Sequence, residues 1–120
     1  MAKPIRIEKV TSEIEKVLSL ILQHDVHDSR VAEHFGSITR VDLTGDLKHA
    51  KVYVSVYGDE DDKRAFMEGL ESAKGFIRSE LGRNTLLRYV PALHFKLDRA
   101  LEEGARVISL LDKLKDQGEL

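Results

Sequence analysis

The sequence predicts an α+β fold in a single domain, with the element order helix, two strands, interrupted helix, strand and helix. Apolar residues recur at helical spacing near the N-terminus and again beyond residue 60. From His49 to Tyr57 they occupy every second position instead. Because two strands precede a helical crossover and one follows it, we expect a three-stranded mixed sheet covered by helices on one face.

The first helix is predicted from Ile7 to about Leu22, and a hairpin follows it. One apolar stripe defines the helix, made of Ile7, Val10, Ile14, Val17, Leu18, Ile21 and Leu22. The polar stretch from His24 to Gly36 is expected to be a loop. The segments Ser37–Leu43 and His49–Tyr57 then predict two antiparallel strands, because turn-forming residues around Gly45 separate them.

The next helical region begins at an acidic run, Asp59–Asp62, whose negative charge suits a helix N-terminus. Its apolar stripe consists of Phe66, Leu70, Ala73, Ile77 and Leu81. A glycine inside a helix costs about 1 kcal/mol relative to alanine. We therefore expect a local break near Gly75, followed by a second short helix that Gly82 caps.

The last predicted elements are a third strand and a closing helix. After Pro91, the residues Leu93, Phe95 and Leu97 alternate with polar neighbours, which predicts the strand. Asp98 can cap the final helix. The apolar residues of that helix are Leu101, Ala105, Ile108 and Leu111.

Composition bounds the class of protein. The chain has 120 residues, of which 42% are hydrophobic and 33% charged, with a net charge of -2. This is enough apolar material for one core, and it excludes a wholly disordered chain. No apolar run is long enough to span a membrane, and no secretory signal is expected. The absence of cysteine excludes disulfides and thiol nucleophiles and fits a reducing compartment.

Patterns for catalysis or metal binding are weak. His24 and His27 could begin a metal site, but no ligand set of recognised spacing completes it. The run Asp59–Asp62 is interpreted as capping charge rather than a magnesium cluster. We therefore expect no catalytic residue, no metal and no cofactor. A small hydrolase or metal enzyme that uses His24, His27 or Asp59 remains as a less favoured alternative.

Positive charge is concentrated between Lys74 and Arg99, where six cations face two acids. Lys74 and Arg78 lie four residues apart, away from the apolar stripe of their helix. A solvated surface also carries such charge, but a glycine break would let the backbone approach a phosphate chain. The residues of the predicted RNA-binding surface are Lys3, Arg6, Lys74, Gly75, Arg78, Arg83 and Arg88.

Tyr53 and Tyr57 face away from the valines of the second predicted strand. They suggest base stacking. Half-buried tyrosines beneath a terminal helix are the preferred interpretation.

The element order resembles a type II KH domain, in which a G-x-x-G loop between two helices holds nucleic-acid backbone. Here Ser72-Ala73-Lys74-Gly75 stands in place of that loop. The sequence resembles the ribosome-binding factor A family, whose KH-like domain has an Ala-x-Gly helix kink instead, matched by Ala73, Lys74 and Gly75. Further matching blocks are Ala50–Ser55, Ala73–Gly82, Arg88–Phe95 and Gly104–Val107. The domain is expected to span residues 5–111, with a short polar tail at residues 112–120.

The resemblance implies a cytoplasmic, monomeric assembly factor that binds the free small ribosomal subunit and its 16S ribosomal RNA. It implies help with late maturation of the 5′ end of the precursor RNA, growth in the cold, and contact with neighbouring ribosomal proteins. It implies binding rather than catalysis. A second class stays open, a protein-interaction module that uses the sheet face or the Asp59–Asp62 side without touching RNA.

Overall fold

Three strands form one mixed sheet in the structure, a computed structural model that describes residues 5–100. The strands are β1 (Phe35–Leu43), β2 (His49–Tyr57) and β3 (Ala92–Leu97), in the spatial order β1-β2-β3. β1 runs antiparallel to β2, and β3 runs parallel to it. The predicted hairpin and mixed sheet are confirmed.

The helices of the described residues are α1 (Ile5–His24), α2 (Ser29–Ala32) and α3 (Glu60–Arg83). α1 packs on β1 and α3, while α3 packs on β2 and β3. The fully buried side chains that join these helices to the sheet include Ile14, Leu18, Ile21, Phe66, Leu70, Ile77, Leu81, Val52, Val54 and Leu93. The predicted α+β class is therefore confirmed, because the apolar helix stripes and the valine face of β2 form one core.

β1 contains a bulge that the sequence pattern did not indicate. Ile38 pairs with Val54, but Arg40 pairs with Tyr53, so Thr39 is the additional residue. Ile38 and Val41 are an odd number of residues apart, and a regular strand would turn them to opposite faces. The bulge restores the inward orientation of Val41, which is buried.

α3 corrects the prediction of two helices separated at Gly75. Residues 60–83 form one uninterrupted α-helix, and Gly75 lies inside it. The roughly 1 kcal/mol cost of a helical glycine is smaller than the gain from burying Ile77 and Leu81 on the same stripe. The predicted cap is also wrong, since Gly82 is helical and Asn84 is the C-cap, its backbone N–H donating to the Glu80 carbonyl.

α2 corrects the prediction that residues 24–36 form a loop throughout. Asp28 caps this single turn by accepting a hydrogen bond from the Arg30 backbone N–H at 2.9 Å. The Arg30 side chain returns to the same carboxylate, with Nη2 2.9 Å from Oδ2. Val31 is buried beneath the turn. A helix of one turn is too short to show a periodic pattern, so Asp28 was its only sequence signal.

The Asp28 cap predicts a pH-dependent stability. Hydrogen bonds from the Arg30 side chain and backbone lower the pKa of Asp28 below its usual value. A lowered folded-state pKa stabilises the protein above the unfolded-state pKa, near 3.9, and this contribution disappears as the pH falls through the folded-state value. Asp28→Asn should therefore be less stable than the natural chain in urea titrations at neutral pH, and the difference should shrink progressively as the pH falls below about 3.9. A difference that stays constant with pH would contradict this role.

The predicted closing helix and polar tail lie outside the described residues. Asp98, the predicted cap of that helix, lies near the end of the described residues, where its Oδ1 accepts the Ala100 backbone N–H at 2.9 Å. Across residues 5–100, no helix combines the length and apolar character that crossing a membrane requires.

Candidate nucleic-acid interface

Four cations from separate elements surround one groove, which we call the basic groove. Arg6 comes from α1, Lys48 from the β1–β2 turn, Arg78 from α3, and Arg88 from the segment between α3 and β3. The cavity between them has a volume of about 750 Å³. Its apolar wall includes Val10, Ile14, Leu43, Leu47, Leu87 and Val90. Such a groove offers a polyanion several cations at once, beside a surface that is poorly hydrated.

Arg78 organises the groove as well as lining it. Its Nη2 donates to the Val90 carbonyl at 2.7 Å, and its Nε donates to the Pro91 carbonyl at 3.3 Å. These bonds tie the approach to β3 against α3. A guanidinium has five N–H donors, so Arg78 retains donors for a phosphate while it holds the loop.

Arg88 and Lys48 are two exposed cations of the groove, and the charge of Lys48 interacts with the nearby Asp46 carboxylate without forming an ion pair. Both side chains are exposed, and neither forms an ion pair with any residue in the 5–100 range. The Lys48 backbone is fixed on both sides, since its N–H donates to Asp46 Oδ1 and its carbonyl accepts from Ala92 N–H. Arg6 is likewise exposed. These cations are therefore available to bind phosphates.

Two carboxylates, Glu13 and Asp46, also line the groove. Asp46 accepts a 2.6 Å hydrogen bond from the Thr44 hydroxyl and a 3.0 Å bond from the Lys48 backbone N–H. These hydrogen bonds lower the pKa of Asp46 below its usual value. Asp46 therefore stays anionic, and its hydrogen bonds hold the turn that presents Lys48. The four cations of the groove still outnumber the two acids.

Lys74 and Arg83, two other predicted RNA-binding residues, do not line the basic groove. Lys74 Nζ pairs with Glu71 at 2.8 Å, and its side chain is only 32% exposed. Arg83 Nη1 pairs with Glu80 at 3.3 Å. Each cation is therefore partly neutralised by the acid one turn earlier. Lys3 lies outside the described residues.

Gly75 borders a second, shallower groove of about 410 Å³ together with Arg78, Arg88 and Tyr89. The glycine is exposed, and a Cβ added to it would meet nothing within 4 Å. Packing among the described residues therefore does not require glycine here. The bare backbone faces a groove that already holds two guanidinium groups, which suits close approach by a phosphate chain.

Lys48 was missed in the sequence because it lies in a turn, far along the chain from the Lys74–Arg99 surplus. Only the parallel pairing of β2 with β3 brings the start of β2 next to Ala92 and the residues before it. Leu86 and Tyr89, which also line the basic groove, were missed because they belong to no periodic pattern. No local signal could have placed these residues beside Arg6.

The two tyrosines of β2 have different surroundings. The Arg40 guanidinium carbon lies 4.1 Å from the centre of the Tyr53 ring, so a cation–π contact covers that half-buried ring. Tyr57 is 82% exposed and pairs across the sheet with Phe35, which is 81% exposed. The acidic run Asp59–Asp62 follows Tyr57 directly. This end of the sheet is less suited to a polyanion than the basic groove.

Metal-binding side chains do not converge in the described part of the chain. Across residues 5–100, no group of three or more His, Asp or Glu side chains could hold a metal ion. His24 and His27 are both exposed near the end of α1. Asp59 and Asp62 instead form a reciprocal capping box at the start of α3, as their capping interpretation predicted.

Fold and site together define a small α+β binding domain with a cationic groove beside an exposed helical glycine. The chain belongs to the ribosome-binding factor A family, because the sequence model of that family matches residues 6–111. A ribosome-binding factor A from Prochlorococcus marinus (strain MIT 9303) is 44% identical over 119 residues, which are 99% of this chain and 84% of the relative.

Solved structures agree with this assignment. The NMR structure of a Thermotoga maritima protein assigned as a ribosome binding factor A is 32% identical, with a TM-score of 0.70 over 83% of this chain and 93% of that one. A Thermus thermophilus homology model is 24% identical, with a TM-score of 0.62 over 76% of this chain and 93% of that one. That model was fitted into a cryo-EM map of a complex between the 30S subunit and ribosome binding factor A. At this identity the similarity supports the fold.

Proposed function

We propose that this protein is an assembly factor that binds the free small ribosomal subunit by placing the basic groove on its 16S ribosomal RNA. The family to which the chain belongs, and the 30S complex into whose map the Thermus model was fitted, support the choice of partner. The observation that carries the proposal is the convergence of Arg6, Lys48, Arg78 and Arg88 on one groove. The groove beside Gly75 has two cations, Arg78 and Arg88, and a groove between α1 and β1 has one, Lys16.

The proposed action is binding without a chemical step. Lysine and arginine contacts to phosphates supply affinity and position the protein, while the shape of the folded RNA supplies selectivity. Holding one RNA conformation near the immature 5′ end would assist late maturation of the precursor. Structured RNA is more easily trapped in wrong pairings at low temperature, so we also propose a role in cold growth. On this proposal the protein acts as a monomer in the cytoplasm, beside neighbouring ribosomal proteins.

The proposal is tested by binding the full chain to purified small subunits at increasing salt concentrations. Each phosphate contact releases condensed counterions, so the logarithm of the affinity should fall steeply and linearly with the logarithm of the salt concentration. In co-sedimentation, the protein should accompany free small subunits and be depleted from complete ribosomes. No association with either particle, or binding whose affinity hardly changes with salt, would favour the protein-interaction module instead.

The maturation step is tested separately in cells that lack the corresponding gene. Restoring the natural chain at low temperature should reduce the fraction of 16S RNA that retains an unprocessed 5′ end. The Lys48→Ala/Arg88→Ala chain should fail to do so at the same protein level. Equal rescue by both chains would remove the basic groove from this proposal.

A further inference from the structure

The segment between α3 and β3, residues 84–91, presents two apolar side chains to solvent on an anchored backbone. Leu86 is 99% exposed and Tyr89 is 77% exposed, and both border the basic groove. Arg88 lies between them in the sequence and is exposed as well. We call these three residues the exposed triplet of the 84–91 loop.

The loop is held at both ends by contacts with α3. The Thr85 hydroxyl donates to the Leu81 carbonyl at 2.7 Å. At the other end, Arg78 donates to the Val90 and Pro91 carbonyls. Leu87 and Val90 pack against the core. The backbone of the exposed triplet is therefore held in place by its buried neighbours, while its side chains face solvent. This lowers the entropic cost of ordering the triplet on a ligand.

Charge distinguishes this surface from the other exposed aromatic residues. Phe35 and Tyr57 are exposed to a similar extent, but acidic residues follow Tyr57 in the chain. Residues 84–91 contain no acid, and Arg78 and Arg88 line the same two grooves as Tyr89. An apolar ring and an aliphatic side chain set among guanidinium groups match a flat base joined to a phosphate.

We propose that the exposed triplet holds an unpaired RNA nucleotide, with its base stacked on Tyr89, Leu86 contacting the base or its neighbouring step, and Arg88 on its phosphate. This deepens the proposed function, on which it rests, by naming the ligand as single-stranded or bulged RNA rather than a continuous duplex. Aromatic rings stack on any base, and aliphatic side chains act as wedges where bases are already unstacked. Selectivity at this loop is therefore for an unpaired base rather than for a particular sequence.

The test uses two short RNA hairpins that each contain one fluorescent adenine analogue. In one hairpin the analogue is an unpaired bulge, and in the other it is paired within the stem. The natural full chain should bind the bulged hairpin more tightly and change the fluorescence of the analogue. Tyr89→Ala should weaken binding to the bulged hairpin by about tenfold, as expected for one lost stacking contact, and leave the paired hairpin unaffected. Leu86→Ala should give a smaller loss, and Tyr89→Phe should retain the preference. Tyr57→Ala is the control, because it removes an equally exposed ring outside the groove.

Three results would overturn the inference. In the first, the protein binds both hairpins with equal, salt-dependent affinity, and Tyr89→Ala does not change that affinity. This result would leave the proposed function intact and exclude the stacking site. A loss of small-subunit binding in Tyr89→Ala, without any change for the bulged hairpin, would assign the triplet to a protein partner. Failure of the natural chain to bind either hairpin or the small subunit would overturn the proposed function itself. Circular dichroism of each variant confirms that it remains folded.

Discussion

Replacing Lys48 and Arg88 together by alanine should reduce the affinity for purified small subunits on the order of a hundredfold at low salt. Each cation is exposed and has no ion-pair partner within the described residues, so its charge is available to a phosphate. A hydrogen bond to a charged group contributes about 1.5–3 kcal/mol, which corresponds to tenfold or more for each lost contact. The salt dependence should also flatten by roughly one unit of slope per contact removed.

Two controls separate this effect from a general loss of positive charge. Arg64→Ala removes a cation that pairs with Asp61 at the start of α3, roughly 21 Å along the helix from Arg78 at 1.5 Å per residue. We expect little change in affinity or slope. Lys74→Ala/Arg83→Ala removes cations that are already paired with Glu71 and Glu80, and should lower affinity less than the Lys48 and Arg88 pair. Equal losses in all three variants would contradict the groove as the binding surface.

The fold was largely predictable because each long element buries one continuous apolar stripe. The strongest alternation predicted β2 with the same bounds that the structure has, His49–Tyr57. β1 begins two residues earlier than predicted, at Phe35, because its pairing with β2 continues as far as Phe35 opposite Tyr57. The supposed break at Gly75 shows the limit of local propensity, since tertiary burial on either side of the glycine outweighs it.

The site was only partly predictable. The charge surplus identified Arg78 and Arg88, and the N-terminal cations included Arg6, but local sequence could not show that the three share one groove. That convergence depends on packing of the start of α1 near the loop before β3, which is a tertiary contact. Nor does spacing show which cations are neutralised. Lys74 was ranked with Arg78, whereas the structure pairs it with Glu71.

Gly75→Ala should stabilise the folded protein and weaken its binding to the small subunit. The new methyl group meets nothing within 4 Å, and alanine removes the entropic cost of glycine in a helix. We expect about 1 kcal/mol of added stability in urea titrations. If the RNA backbone approaches α3 closely at this position, the same methyl group separates the phosphate from the helix. The affinity for the small subunit should then fall although the folded state is more stable.

Gly69→Ala is the matched control, because it makes the same substitution in the same helix at a buried site. Its Cβ would lie 2.8 Å from Val31 Cγ2 and 3.0 Å from Arg30 Cβ, so α2 must move away from α3. Overpacking of this kind costs about 1–3 kcal/mol, which offsets or exceeds the gain in helix propensity. Both variants gain the same helix propensity from alanine. The difference between their unfolding free energies therefore measures the steric cost at Gly69. Higher stability of Gly75→Ala with unchanged affinity would show that no ligand backbone comes close to this turn of α3. A loss of affinity in the more stable protein, by contrast, cannot be attributed to unfolding.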